Sequence, residues 1–231
     1  MKTNQDYKNA ALARIRGNWA PLVVATIVFF FFALLCMGAD ADRWEKISKV
    51  LPSLAFFVPA TAAGKAIMGG CSALLLIFVL GPLVIGYANM TRIFYEEGHT
   101  ATVSNLFHFA LGNYIHIVWG YFLMILKIFL WTLLLIIPGI IKTYEYALTP
   151  YILVERPEMS ASQAIAESSR LMEGHKFDLF WLELSFIGWF ILSVITLGIG
   201  FIWLEPYCQV SIAAFYNDLK AADAAPVVDE Q

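Results

Sequence analysis

Long apolar runs alternate with short polar segments along the chain. Residues 20–37 contain no charged side chain, and residues 71–91, 114–141 and 177–216 are apolar with few interruptions. A transmembrane helix needs about 18 or more predominantly apolar residues, and each run reaches that length. The pattern therefore predicts an all-α, polytopic membrane protein.

Basic residues predict the orientation of these runs, because Lys and Arg are enriched in cytoplasmic loops. The segment before the first run and the segment around 156–176 are predicted to be cytoplasmic. Their basic residues are Lys2, Lys8, Arg14, Arg16, Arg156, Arg170 and Lys176. The 39–70 loop mixes both signs of charge and is predicted to lie outside. Both termini are then cytoplasmic.

Residues 114–155 and 177–219 must each leave the cytoplasm and return. Pro138-Gly139 is the predicted reversal point in the first of these segments, because proline disrupts a continuing helix and glycine accepts turn geometry. Thr196–Gly200 is the predicted reversal in the second. The prediction is six transmembrane helices in three hairpins, within a single domain over residues 1–220. The spans are 19–38, 71–92, 114–136, 140–155, 177–197 and 201–219.

A cleaved signal peptide is the alternative for the first apolar run. Ala39-Asp40-Ala41 has the form of a cleavage site. The run is longer than the apolar core of a signal peptide, which has about 7–15 residues, and a long polar segment precedes it. These features favour a span that remains in the protein.

Three short segments, each placed before a hairpin, end in the same way. RIRGNW (14–19), FALGNY (109–114) and LMEGHKF (171–177) have glycine, then Asn or His, then an aromatic within two residues. Ser160 and Gln163 have the spacing of a helix capping box before the third. One helical stripe holds Ala161, Ala164, Ile165, Ser168, Leu171 and Met172. We predict amphipathic helices at the cytoplasmic interface with the apolar face on lipid; ordinary connectors are the alternative.

The composition agrees with a membrane location. Hydrophobic residues make up 60% of the chain and charged residues 14%, against about 45–50% and about 25% in soluble domains. A net charge of −3 without a basic stripe argues against nucleic acid as a partner. Residues 221–231 predict a disordered acidic tail. The three cysteines, Cys36, Cys71 and Cys208, are predicted to be small buried side chains; alternatively, Cys36 and Cys71 form a pair near the outer face.

Five charged residues fall within the predicted spans: Lys127, Lys142, Glu145, Glu183 and Glu205. A charge at the bilayer centre costs roughly 2.5–3.5 kcal/mol on insertion scales, so such residues usually pair. Glu183 is predicted to lie alone near the cytoplasmic end of its span. The other four, two of each sign, are predicted to form a neutral polar cluster in the outer half. The cluster is either structural, joining hairpins, or a contact for a ligand or ion.

Signatures of enzymes are absent from the sequence. It has no HExxH motif, no closely spaced set of metal ligands, no GxSxG elbow and no phosphate-binding glycine loop. Glu96-Glu97 matches the start of an intramembrane-protease EExxxR motif, but Ala101 stands where that motif has arginine. We therefore predict a protein without catalytic activity, cofactor or metal.

The chain resembles a family of bacterial integral membrane proteins, domain of unknown function 975. The resemblance rests on IIPGIIKTYEYALTPYIL (136–153), the segment ERPEMSASQAIAESSRLMEGHKF (155–177) and its apolar continuation, and TLGIGFIWLEPYCQVSIAAFYNDL (196–219), with RIRGNW near the N-terminus. Ala147 departs from the serine typical of the family. The resemblance implies a multi-pass protein of the bacterial cytoplasmic membrane, and it lends no catalytic residue, substrate or cofactor.

The function that these features predict is non-enzymatic. The polar cluster would hold the helices together, while the interfacial helices would contact membrane lipid or a protein partner. The alternative is a transporter, or a subunit of one, that uses the Lys/Glu cluster as its site. An enzyme acting on lipid is a third possibility, and no motif supports it.

Overall fold

The computed structural model describes residues 2–37, 49, 74–97 and 102–224. These residues form helices, turns and bends, with no strand among them. The helices are α1 (Asn4–Ile15), α2 (Trp19–Met37), a π-helical turn (Leu76–Leu80) that continues into α3 (Gly81–Glu97), α4 (Val103–Gly112), α5 (Tyr114–Leu134), α6 (Ile136–Glu145), α7 (Thr149–Glu155), α8 (Ala161–Leu171), α9 (Lys176–Leu184), α10 (Ile187–Ile195) and α11 (Phe201–Ala224). Most of the 39–70 loop and Cys71, hence its pairing with Cys36, lie outside the described residues.

Three described helical segments are long and apolar enough to cross a membrane: Leu76–Glu97, Tyr114–Leu134 and Lys176–Ile195. Helices α1 and α2 make a fourth candidate if they are counted together, although they are bent by 103° between Ile15 and Trp19. The chain is thus an all-helical protein with three to four candidate membrane spans.

The chain reverses between α5 and α6 at Leu135, whose extended backbone separates the two helices. The sequence predicted this reversal at Pro138-Gly139, three residues later. Pro138 instead lies in the first turn of α6. Backbone N–H groups in the first turn have no acceptor within the helix, so the N–H that proline lacks is not needed there. Gly139 follows it and packs directly on α5.

The role of Gly139 is close approach to Thr132 of α5. A Cβ atom on Gly139 would lie 2.7 Å from the Thr132 Cα, which is too close for any side chain. Gly200 stands in the same relation to Ser193 at the next reversal, also at 2.7 Å from the Cα. The hydroxyl groups of Thr132 and Ser193 each donate a 2.8 Å hydrogen bond to the backbone carbonyl four residues earlier. Two reversals of the chain are therefore built in the same way.

Helix α8 begins with the predicted capping box. The Ser160 hydroxyl accepts from the Gln163 backbone, and the Gln163 side chain accepts from the Ser160 backbone. All six residues of the predicted stripe are buried. They are buried within the protein, against α5, α7 and α11, so this face does not rest on lipid as predicted.

Helix α1 also buries its apolar face within the protein. Tyr7 and Ile15 are buried in the cores that α1 forms with α3 and α11, and the Tyr7 hydroxyl donates to Asp218 of α11 at 2.8 Å. Helix α1 buries its apolar side against neighbouring helices, and it is bent by 103° from α2. The final helix continues to Ala224, four residues into the predicted disordered tail.

Candidate functional site

The structure places four of the five predicted membrane charges in two separate groups. Lys142 and Glu145 belong to one centre, at the end of α6. Glu183 and Glu205 line a shared pair of cavities between α9 and α11. Lys127 belongs to neither, since no described carboxylate forms an ion pair with it. The single four-residue cluster expected from the sequence is therefore not the arrangement observed.

The first group is centred on the carboxylate of Glu145, whose side chain is 8% exposed. Lys142 Nζ lies 2.6 Å from Glu145 Oε1, which is the i,i+3 pair expected from the sequence. Lys176 Nζ lies 2.6 Å from Oε2, and the Ser169 hydroxyl donates to Oε1 at 2.5 Å. The Ser168 hydroxyl donates to the Glu145 backbone carbonyl at 2.9 Å. We call Lys142, Glu145, Ser169 and Lys176 the Glu145 centre.

The Glu145 centre joins three helices and carries a net positive charge. Its residues come from the end of α6, from α8 and from the start of α9. Two ammonium groups face a single carboxylate, which leaves one positive charge in excess. The Lys142 ammonium also lies 5.3 Å from the centre of the Trp131 ring and 5.5 Å from that of Tyr146, within the range of cation–π attraction.

Sequence reasoning missed Lys176 and Ser169 as members of this centre. Both were assigned to a cytoplasmic segment 20 or more residues away from Glu145 along the chain. The signal that could have found Lys176 was its place in the GHK segment, directly after a predicted helix end. The contact arises because α8 packs on α5 and α7, which returns the chain to the end of α6.

A groove opens beside the Glu145 centre, between α6 and α9. It encloses about 480 Å³. Its wall is apolar and aromatic except at Lys176: Ile137, Ile140, Ile141, Tyr144, Gly174, Lys176, Phe177 and Phe180. Ile137 and Phe177 are 73% and 75% exposed, so the groove lies on the outside of the bundle. We call it the α6–α9 groove.

The second group of charges consists of Glu183 and Glu205. Two neighbouring cavities of about 240 and 280 Å³ share four lining residues, Glu183, Glu205, Gln209 and Ile212. Glu183 accepts a 2.9 Å hydrogen bond from the Tyr144 hydroxyl, and Glu205 accepts one of 3.0 Å from the Gln209 amide. Among the described residues, no Lys or Arg forms an ion pair with either carboxylate. We call this pair of cavities the acidic cavity.

A separate polar contact ties α8 to α11 outside the predicted spans. Arg170 lies 2.9 Å from a Glu167 oxygen and 2.7 Å from an Asp223 oxygen. Its hydrogen bonds hold the pKa of Glu167 and the pKa of Asp223 below their usual values. Because both pKa values are lowered, this stabilisation is complete above the unfolded-state pKa and is lost as the pH falls through the folded-state values. Asp223 lies one residue before the end of α11 at Ala224.

Comparisons with known proteins give one result. The sequence profile of a family described as a protein of unknown function, DUF975, matches residues 103–223. No curated protein and no solved structure matches the chain. The match includes the Glu145 centre, the α6–α9 groove and both carboxylates of the acidic cavity, and it leaves α1 to α3 outside. Since it covers just over half of the 231 residues, the chain belongs to the DUF975 family.

Proposed function

We propose that this protein is a non-enzymatic, multi-pass protein of the bacterial inner membrane that binds an anionic phospholipid in the α6–α9 groove. In this proposal the chain crosses the membrane six times, as three hairpins, with both termini in the cytoplasm. The partners are membrane lipid and a protein within the membrane, and nucleic acid is not one of them. The observation that carries the proposal is the apolar groove that ends at the positively charged Glu145 centre.

The six crossings are supported by the helices and by the surfaces they expose. Helices α6 and α7 contain 10 and 7 residues and are separated by a turn, which gives about 26 Å of helix at roughly 1.5 Å per residue, a little less than the roughly 30 Å of a bilayer core. Leu135 and Leu197, at the two reversals after α5 and α10, are 63% and 93% exposed. This exposure is what the proposal expects of residues at the outer ends of two hairpins.

The topology gives the first prediction. Single cysteines at Leu135 and Leu197, in a chain whose native cysteines have been replaced, should react with a membrane-impermeant maleimide added outside intact cells. A cysteine at Gln5, in α1, should react only after the membrane has been opened. Labelling of position 135 or position 197 solely from the cytoplasmic side would contradict the three-hairpin arrangement.

The groove has the two properties that a phospholipid requires. Its wall offers isoleucine and phenylalanine side chains to an acyl chain, and Lys176 lies at its edge as the one charged lining residue. Lys176 is 31% exposed and shares its carboxylate partner with Lys142. The unbalanced positive charge favours a phosphate group, for which basic residues at the membrane surface are worth about 1 kcal/mol each.

Filling the groove tests the proposal. Ile140→Trp places a large ring in the α6–α9 groove, so the purified variant should lose most of the phosphatidylglycerol that co-purifies with the wild-type protein. The same variant should also lose the rise in melting temperature that added phosphatidylglycerol produces. Lipid extraction with mass spectrometry and thermal unfolding in detergent measure the two effects.

Leu133→Trp is the matched control. Leu133 is 73% exposed on α5 and does not line the groove, so its replacement adds the same ring elsewhere on the apolar surface. It should retain the lipid. Equal retention of phosphatidylglycerol by both variants, or an equal response of the wild-type protein to phosphatidylcholine, would refute binding of an anionic lipid in this groove.

A further inference from the structure

We infer that Glu145 is a built-in counter-ion that competes with the lipid phosphate for Lys176. Lipid binding then transfers the Lys176 ammonium from the carboxylate to the phosphate. The inference rests on the lipid site proposed above and states how that site is regulated. Lys176 belongs to both places, since it lines the α6–α9 groove and its Nζ lies 2.6 Å from Glu145 Oε2.

The two oxygens of the Glu145 carboxylate have different partners. Oε1 accepts hydrogen bonds from the Lys142 ammonium at 2.6 Å and from the Ser169 hydroxyl at 2.5 Å. Among the described residues, Oε2 accepts one from Lys176 alone, at 2.6 Å. A buried carboxylate that loses all of its partners is strongly destabilising. Because Oε1 keeps a cation and a hydroxyl, Glu145 can release Lys176 without becoming an unpaired buried charge.

Lys176 is the member of the Glu145 centre that is best placed to exchange its partner. It is more exposed than Lys142, and it is the charged residue of the groove wall. The Lys142 ammonium is held in addition by the rings of Trp131 and Tyr146. A lysine ammonium sits on a long flexible stem, so Lys176 can turn towards the groove without a shift of the α9 backbone.

The exchange connects lipid binding to the packing of the helices. Lys176 is the first residue of α9, and its contact with Glu145 ties that helix end to α6. The Ser168 hydroxyl donates to the Glu145 backbone carbonyl at 2.9 Å, so α8 stays joined to α6 when the carboxylate changes partners. Tyr144 packs on Phe180, about one turn further along α9. Lipid binding therefore loosens the start of α9 and leaves the rest of the junction in place.

The direction of one mutational effect separates competition from support. If the carboxylate only held Lys176 in position for the phosphate, removal of its charge would weaken lipid binding. If it competes with the phosphate, removal of its charge strengthens lipid binding. Glu145→Gln makes this change while keeping the size of the side chain and an oxygen that accepts hydrogen bonds.

Calorimetric titration of the full-length protein in detergent with short-chain phosphatidylglycerol measures the effect. The wild-type protein should bind the lipid saturably, and Glu145→Gln should bind it at least about tenfold more tightly, because both ammonium groups are then free to face the phosphate. Glu173→Gln removes the same charge at an exposed position three residues before Lys176, and should bind as the wild type does.

Equal or weaker binding by a folded Glu145→Gln variant would overturn the inference and leave the lipid site standing, provided that the wild-type protein binds. An equal gain in the Glu173→Gln variant would also overturn it, because the cause would then be net charge alone. The absence of binding by the wild-type protein and by Glu145→Gln would refute the lipid site itself.

A second variant keeps the test decisive if Glu145→Gln does not fold, which its melting temperature will show. Lys142 does not line the groove, yet Lys142→Met removes the cation from Oε1, so the carboxylate depends more on Lys176. Phosphatidylglycerol should then bind about fivefold or more weakly. Lys127→Met, the same change at a lysine outside the Glu145 centre, should leave the affinity unchanged. Unchanged affinity in a folded Lys142→Met variant would overturn the inference.

Discussion

Replacing Glu145 with alanine should lower the free energy of unfolding by about 3 kcal/mol. Removal of one partner from a buried ion pair costs about 3–5 kcal/mol, because the remaining charge is left without compensation. Lys142 and Lys176 are 24% and 31% exposed, so they can partly turn to water or headgroups, which places the effect at the lower end. Unfolding in detergent micelles with increasing dodecyl sulfate measures the loss.

The exposed residue Glu173 provides the control, since Glu173→Ala removes the same charge without breaking a buried ion pair. A double variant with Glu145→Ala and Lys142→Ala should recover part of the loss, because one of the two uncompensated ammonium groups is then absent. If Glu145→Ala were no more destabilising than Glu173→Ala, the Glu145 centre would not hold α6, α8 and α9 together.

The second large effect is expected at the reversals of the chain. Gly139→Ala and Gly200→Ala should each destabilise the protein by about 2–3 kcal/mol, the upper part of the range for overpacked sites. The added Cβ would lie 2.7 Å from the Cα of Thr132 or of Ser193, and a backbone atom cannot rotate away as a side chain can. The same unfolding measurement, supported by yield of folded protein, checks this.

Gly188→Ala is the matched comparison. Gly188 lies in α10, and a Cβ there would meet nothing within 4 Å. Since alanine is favoured over glycine in a helix by up to about 1 kcal/mol, this variant should be neutral or more stable. Destabilisation by the same amount at all three positions would mean that the close approach of the helices is not the cause.

One side chain connects the α6–α9 groove to the acidic cavity. Tyr144 lines the α6–α9 groove, and its hydroxyl donates to Glu183 of the acidic cavity at 2.9 Å. Helix α6 therefore contributes to the Glu145 centre, to the groove and to the cavity within ten residues. The segment IIPGIIKTYEY, one of those that carry the family resemblance, thus combines proline, glycine, lysine, tyrosine and glutamate in an otherwise apolar stretch.

Periodicity and local chemistry were sufficient to predict the helices and the contacts between residues close together along the chain. The capping box at Ser160, the stripe on α8 and the Lys142–Glu145 pair all depend on residues three or four positions apart, whose geometry a helix fixes. The same reasoning placed the reversal after α5 three residues late. Proline breaks a helix in its interior but is accepted in its first turn, and the sequence does not distinguish these positions.

The sequence by itself determined that the chain is helical and apolar enough for membrane spans. It also determined which residues of the amphipathic helices would be buried. Both properties depend on hydrophobicity and on the helical period of 3.6 residues. Only the tertiary structure decided which charges meet. Lys176, and not Lys127, joins Glu145, and Glu183 faces Glu205 across a cavity. Contacts between residues more than 20 positions apart depend on how the helices pack. The stripe on α8 contacts protein and not lipid for the same reason. An apolar surface can be buried against either, and only the packing of the helices determines which.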